Sequence, residues 1–238
     1  MPTFKRGDVS IYYEEYGSGF PLLLFAPGGM RSAIEFWHQS PFDPTRELAG
    51  DFRVIAMDQR NAGQSRGPIT AADGWDTYTG DHLALLDHLG VKRTHAMGGC
   101  IGSSYSLNLI KLAPDRVAAA VLQNPIGLHN NREAFYEMFN GWGENLQRKR
   151  ADVSSEALAA FRERMYGSDF VFNVDRDFVR RCTAPLLILA GDDLYHPAPT
   201  SREIAELAPN AEIIMDWKRP EVVATTVSRV RTFLKSHQ

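Results

Sequence analysis

Short apolar runs recur along the chain, separated by polar segments of helical period. "DVSIYYEEY" (Asp8 to Tyr16) leads through "GSG" into "PLLLFAPGG", a run too short for a helix and stopped by Pro-Gly-Gly. This predicts two strands joined by a hairpin turn at "GSG". "FRVIAMD" (Phe52 to Asp58), "THAMGG" (Thr94 to Gly99), "VAAAVLQNP" (Val117 to Pro125), "APLLILAGD" (Ala184 to Asp192) and "AEIIMDW" (Ala211 to Trp217) repeat the pattern. Such continuous apolar runs suit strands covered on both faces.

Helical stripes lie between them. Leu83, Leu86 and Leu89 fall on one stripe after Thr77, and Val223, Val227, Val230 and Leu234 on another after Pro220, a residue suited to a first helical turn. The alternation predicts an α/β fold, a mostly parallel sheet with helices on both faces, whose sites lie beyond the carboxyl ends of the strands. The rhythm breaks from Ile126 to Arg181, where "NREAFYEMFNGWGENLQRKR" and "SSEALAAFRERM" have helical character and Ser154 or Ser155 is an N-cap. We therefore expect a helical cap over residues 126–181, inserted into a core made of residues 1–125 and 182–238. Its aromatics, Phe135, Tyr136, Phe139, Trp142 and Phe161, either line a pocket or pack as core. The basic "QRKR" (Gln147 to Arg150) reads as a solvated face.

Composition adds little beyond exclusions. With 238 residues, 44% hydrophobic and 23% charged, the chain suits one main domain, and a formal charge of -3 gives no electrostatic case for nucleic acid. No apolar run approaches the ~18 to 20 residues of a membrane span, and "MPTFKRGDVS" lacks the apolar segment of a signal peptide. A cytoplasmic protein with no membrane partner is expected, with Cys100 and Cys182 as reduced thiols. The histidines and cysteines show no metal-ligand spacing, and neither a dinucleotide-binding glycine fingerprint nor a P-loop is present, so neither metal nor cofactor is expected. Assembly into a homo-oligomer is left open.

Candidate chemistry centres on "HAMGGCIGSSYS" (His95 to Ser106). Gly98-Gly99-Cys100-Ile101-Gly102 has the small-x-nucleophile-x-small spacing of a strand-to-helix elbow, with Cys where Ser is commonest. Side chains two positions either side of such a turn would collide with the neighbouring strand or helix unless small. A cysteine there also feels the positive end of the helix dipole, which favours thiolate. The alternative is a small buried thiol between packing glycines.

Three further segments join it in a resemblance to the α/β-hydrolase fold superfamily that covers almost the full chain. "FAPGGM" (Phe25 to Met30) stands in place of the family's His-Gly oxyanion loop, with Pro27 or Ala26 where His is usual. "DQRNAGQS" (Asp58 to Ser65) matches the Asp-x-Arg-Gly-x-Gly-x-Ser segment, with Asn61 for the first glycine, a residue that tolerates left-handed backbone. "LILAGDDLYHP" (Leu187 to Pro197) is similar to the strand end that presents the acid. The resemblance implies an oxyanion hole from the N–H groups of Ile101 and Gly29, with Met30 the next candidate, and Asp193 as the acid ahead of Asp192. Otherwise both aspartates cap the following helix.

The family's base, a histidine before the final helix, is missing: that loop reads "DWKRPEVV". Of seven histidines, His82 and His88 are expected on a helix surface, His95 opens the strand before the elbow, and His237 is terminal. His38, His129 and His196 lie near strand carboxyl ends. His196, three residues from Asp193, is the strongest candidate base, against the alternative of a surface turn histidine. Lys218, beside the missing histidine's place, is a candidate cation or base, or simply exposed.

These features support a hydrolase of a small-molecule carbonyl substrate, an ester, lactone or thioester, with Cys100 as nucleophile and His196 with Asp193 assisting. Two other readings stand beside it. One is a cofactor-free carbon–carbon lyase, decarboxylase or isomerase on the same fold, and the other a ligand-binding pseudoenzyme.

Overall fold

The computed structural model describes residues 2–238. Eight strands form one sheet: β1 (Thr3–Arg6), β2 (Val9–Tyr16), β3 (Phe20–Phe25), β4 (Phe52–Met57), β5 (Thr94–Gly99), β6 (Val117–Gln123), β7 (Leu186–Leu189) and β8 (Ala211–Ile214). Their order is β1-β2-β4-β3-β5-β6-β7-β8, parallel from β4 to β8, with β2 antiparallel to β4 and β1 antiparallel to β2. The fold class is the expected one. Eight helices accompany the strands: α1 (Pro44–Glu47), α2 (Trp75–His88), α3 (Ile101–Leu112), α4 (Arg132–Gln147), α5 (Ser155–Tyr166), α6 (Arg176–Arg181), α7 (Ala198–Leu207) and α8 (Pro220–Lys235).

Each predicted strand is present, but the "GSG" hairpin is not. β2 and β3 are not neighbours, because β4 lies between them, and "GSG" crosses over one strand instead of pairing two. The hairpin lies one element earlier, joining β2 to β1, a strand whose "TFKR" is mostly exposed and carries no apolar run to announce it.

Successive residues of a strand point to opposite faces, which divides the core in two. Leu23 and Phe25 of β3 face the layer of α2, α3 and α4, while Leu22 and Leu24 face Trp37, Trp217 and the Val227, Val230 and Leu234 stripe of α8. Pro220 opens α8 as expected. His82 corrects an expectation. It is fully buried rather than on a surface, packed 4.3 Å from the ring of Phe25, its Nε2 2.7 Å from Gln59 Oε1, and burial pushes its pKa down to about 3.

After β3 the chain crosses to β4 on one side of it and then returns to β5 on the other, so β3 and β5 flank a reversal point where such sheets bind ligands. Phe25 pairs with Gly98, which sends the 26–30 loop off the sheet beside Cys100. Gly99 pairs with Gln123 and Gln123 with Leu189, which brings the exits of β6 and β7 to the same edge. Asp58 pins this edge from below. Its two carboxylate oxygens accept from Ile34 N–H (2.8 Å) and Gln64 N–H (2.7 Å), tying the "DQRNAGQS" loop to the segment after the 26–30 loop. Asn61 adopts φ 62°, the left-handed conformation expected of it, and its Oδ1 accepts from Gly67 N–H at 3.0 Å.

Only helices, α4 to α6, lie between β6 and β7. Ser154 caps α5, its side chain accepting from Ala157 N–H. Phe135, Met138, Phe139, Trp142 and Leu146 repeat at helical spacing on α4 and turn inward. Arg150 is not the solvated cation expected of "QRKR". It pairs with Asp152 and donates to Asn61 Oδ1 (3.0 Å) and Gly67 O (2.7 Å), binding the α4–α5 connection to the "DQRNAGQS" loop.

Two glycine substitutions separate tolerated from forbidden volume. A β-carbon on Gly98 would stand 1.9 Å from Gly102 O, while one on Gly141, within α4, meets nothing within 4 Å. Gly98→Ala is expected to cost at least about 3 kcal/mol, the upper range for overpacking, and Gly141→Ala to add about 0.5–1 kcal/mol through helix propensity. Urea denaturation of the two variants against the parent checks both signs.

Candidate active site

β5 ends in small residues because α3 must start at once. Cys100 sits between strand and helix at φ 57°, ψ −120°, a conformation L side chains rarely hold. A β-carbon on Gly102 would stand 2.1 Å from Phe25 O, matching the close approach at Gly98. Cys100 N–H donates to Gln123 O at 2.9 Å, and Ser103 Oγ donates to Gly98 O (2.9 Å) and Gln123 O (3.1 Å), fastening the turn on both sides. Both cysteines are free thiols. Cys100 opens onto a cavity of about 360 Å³ whose wall includes Gly28, Gly29, Ile101, Phe135, Tyr166 and His196.

His196 and Asp193 come from the loop between β7 and α7. His196 Nδ1 lies 2.8 Å from both oxygens of Asp193, so Nδ1 carries the proton and Nε2 is turned toward Cys100. Nε2 is buried and makes no hydrogen bond of strict geometry. Asp193 Oδ1 also accepts from the N–H groups of Tyr195 (3.0 Å) and His196 (3.1 Å). The aspartate therefore forms the turn and orients the imidazole at once.

The electrostatics of the three groups are coupled. Burial works against imidazolium, but the negative charge of Cys100 and the hydrogen-bonded Asp193 outweigh it and raise His196 to about 9. Burial likewise pushes the Cys100 thiol up. The positive charge of the adjacent His196, with the N–H groups of Ile101 and Gly28, reverses this and leaves it below its ordinary value. Asp193 is desolvated too, yet His196 and the two backbone N–H groups hold it below the usual carboxylate range.

The remaining sequence candidates divide. Gly29 and Ile101 line the cavity, and the loop amide that reaches the sulfur is that of Gly28. Met30 is buried beneath, its sulfur 3.7 Å from Tyr166 Oη. His38 is drawn away by Asp43, 2.7 Å from its Nδ1. His129 is exposed at the start of the cap, where its N–H donates to Asn131 Oδ1 at 2.8 Å. Lys218 ion-pairs with Asp192, outside the cavity wall. Trp142 faces a neighbouring groove instead of the Cys100 cavity. The position next to Lys218, where a histidine is usual, holds Trp217, fully buried with Nε1 donating to Ala190 O at 2.8 Å.

Sequence reasoning missed Tyr166, Tyr195, Phe36 and Met138, which complete the apolar wall. Tyr195 had a signal, as the immediate neighbour of His196. Met138 and Tyr166 are set by the packing of α4 and α5 over the sheet and Phe36 by the short turn Ile34–Gln39, a meeting that no local pattern encodes. Among the described residues no cluster suited to a metal ion occurs, and no helix is long and apolar enough to cross a membrane.

Known proteins share this architecture. A protein named putative carbamate hydrolase RutD from Azorhizobium caulinodans is 32% identical over 127 residues, which are 52% of this chain and 44% of that one. In that pairing the chain spans less than half the relative's length. The protein of the same name from Stutzerimonas stutzeri is 26% identical over 235 residues, covering 86% of this chain and 87% of that one. Among solved structures, the meta-cleavage product hydrolase CumD of Pseudomonas fluorescens IP01 superposes with a TM-score of 0.76 at 19% identity, covering 100% of this chain and 98% of that one. The family model described as alpha/beta hydrolase fold matches residues 21–182, and with the sheet order and the β5–α3 turn it establishes that this chain belongs to the α/β-hydrolase fold family and is an enzyme of that family.

Proposed function

We propose that the protein is a thiol-dependent acyl hydrolase acting on a small ester, lactone or thioester. The observation that carries this reading is the alignment of Asp193, His196 and Cys100 around one cavity, with Nδ1 of the imidazole held by the acid and Nε2 facing the sulfur. Cys100 thiolate attacks the carbonyl carbon. The N–H of Ile101 and an amide of the Gly28–Gly29 loop take up the charge on the carbonyl oxygen, each worth about 3 kcal/mol in sites of this kind. His196 imidazolium gives its Nε2 proton to the departing oxygen or sulfur, leaving a thioester on Cys100. The neutral imidazole then removes a proton from water, hydroxide adds to the thioester, and the acid departs as Cys100 leaves as thiolate beside the reprotonated imidazolium, restoring the starting pair. Asp193 holds Nδ1–H throughout and stays ionised.

The relatives named as putative carbamate hydrolases agree with cleavage next to a carbonyl, and make carbamates a sensible addition to a substrate panel. The acid and base come from one loop, Asp193 to His196, so no group from the β8–α8 loop is needed. Trp217 fills that place as packing.

The reading fixes the response of two variants. Cys100→Ala should abolish turnover of a p-nitrophenyl ester panel, and His196→Ala should lower kcat by about 10²–10⁴-fold, the usual contribution of a positioned acid–base. Trapping the acyl group on Cys100 by intact-mass spectrometry, and finding one solvent oxygen in the product acid, completes the test. Product lacking solvent oxygen, or unchanged turnover in either variant, refutes it.

A second outcome concerns pH. Because His196 lowers the Cys100 pKa while burial raises it, the pH profile of iodoacetamide alkylation should inflect below the ~8.5 of a free thiol in the parent. In His196→Ala, where burial acts with less opposition, the inflection should move to higher pH, read from the rate of mass gain at Cys100.

A further inference from the structure

Next to the Cys100 cavity lies a second, more polar hollow of about 550 Å³, and the two share Arg31 and Phe36 in their walls. Arg31 ends the short turn after the oxyanion loop. Its N–H donates to Gly28 O (3.1 Å), and the following Ser32 is fixed by Ser32 N–H to Gly29 O (3.1 Å) and Ser32 Oγ to Ala26 O (2.6 Å). The backbone of Arg31 is thus set as firmly as that of the amides beside it.

Its guanidinium is uncommitted. Among the described residues the Arg31 side chain has neither an acid nor a carbonyl partner. The other arginines of the hollow are spent: Arg66 donates to Gly63 O (2.8 Å) and Ser65 O (2.7 Å), and Arg150 is tied to Asp152, Asn61 and Gly67. Lys149 adds a second free cation at the rim, and Glu35 is the one acid in the wall. Arg66 bonds only carbonyl oxygens and keeps its charge, so with Arg31 and Lys149 against Glu35 the hollow is net positive and favours an anion, with Arg31 the cation whose donors are free beside the Cys100 cavity. The Cys100 cavity itself is walled by Phe135, Met138, Tyr166 and Ile126, which suit an apolar spacer.

We propose that Arg31 anchors an anion subsite and that the substrate carries a carboxylate, separated by a short apolar spacer from the carbonyl that Cys100 attacks. The inference rests on the acyl-hydrolase reading and narrows its substrate class to monoesters or thioesters of dicarboxylic acids and their like. The spacer lies past Phe36, and the planar fork of Arg31 pairs with the carboxylate. The charge acts mainly in binding, so it is read in KM more than in kcat.

The test compares p-nitrophenyl hemiglutarate with p-nitrophenyl valerate, similar in length and different in charge, in the parent, Arg31→Gln and Arg31→Lys. The parent should favour the charged ester at least tenfold in kcat/KM, through KM. Arg31→Gln should abolish the preference, and Arg31→Lys should restore part of it. Separately, glutarate should slow alkylation of Cys100 by iodoacetamide saturably in the parent and not in Arg31→Gln, while glutaramide has no effect. Arg31-dependent protection without turnover of either ester keeps the subsite and defeats the hydrolase reading. Turnover of both esters without preference or protection defeats the subsite and keeps the hydrolase reading. Protection by inorganic phosphate stronger than by glutarate overturns the carboxylate assignment.

Discussion

The site depends on one peptide turn. Cys100 holds a backbone conformation that costs about 1–3 kcal/mol, and it persists only because its surroundings leave no alternative. Gly98 and Gly102 let β5, α3 and the end of β3 approach to distances where any β-carbon would overlap backbone. The bonds of Cys100 N–H and Ser103 Oγ to Gln123 then lock the turn to β6. Register does the rest: Phe25 beside Gly98 places the 26–30 loop on one flank, and Leu189 beside Gln123 places the Asp193–His196 loop on the other. Strain at a single residue is held by three strands, so site and sheet are one construction.

Placing Asp193 and His196 three residues apart changes how the site is supported. Asp193 Oδ1 binds two backbone N–H groups of its own turn and the imidazole. The loop cannot rearrange without releasing all three bonds, which gives His196 a fixed orientation although it sits on a connection. In exchange, the segment after β8 carries no reactive group. Trp217 there is buried and bonded to Ala190 O, and Ala190 N–H bonds Ile214 O, so the β8 exit buttresses the chain just before Asp193. Lys218 and Asp192 close the same edge from outside.

What could be read from the chain divides along physical lines. Runs such as "PLLLF" and "VAAAVLQ" are buried on both faces, and their short continuous apolar length with a Pro or Gly stop placed them as strands. Strand β1 escaped notice because an exposed edge strand needs no apolar residues, and the supposed hairpin failed because "GSG" is equally suited to a crossover. The elbow was legible because its glycines answer a local steric demand. His196 was legible for a similar reason, since a three-residue span to Asp193 puts the two side chains within reach whatever surrounds them. His82 misled because helical spacing does not say which side of a helix the sheet covers. The cavity wall was least legible: Phe36, Met138 and Tyr166 meet there only through the packing of distant segments. Trp142, though on the inward stripe of α4, is carried past the cavity by its position a turn further on.

The helix N-terminus by itself is not enough to ionise Cys100. Its surroundings are apolar and aromatic, with Tyr105 and Tyr166 close by, and their own hydroxyls are pushed well above ordinary values by burial first and by the charge on Cys100. A thiolate alone in such a place would be taken up as thiol. The imidazolium of His196 supplies the compensating charge, and the thiolate in turn supplies the largest part of what raises His196. Each group favours the charged form of the other, and Asp193 keeps the imidazole turned toward the sulfur. A cysteine at this turn therefore depends on its histidine for charge compensation: the imidazolium offsets the penalty that burial places on the thiolate.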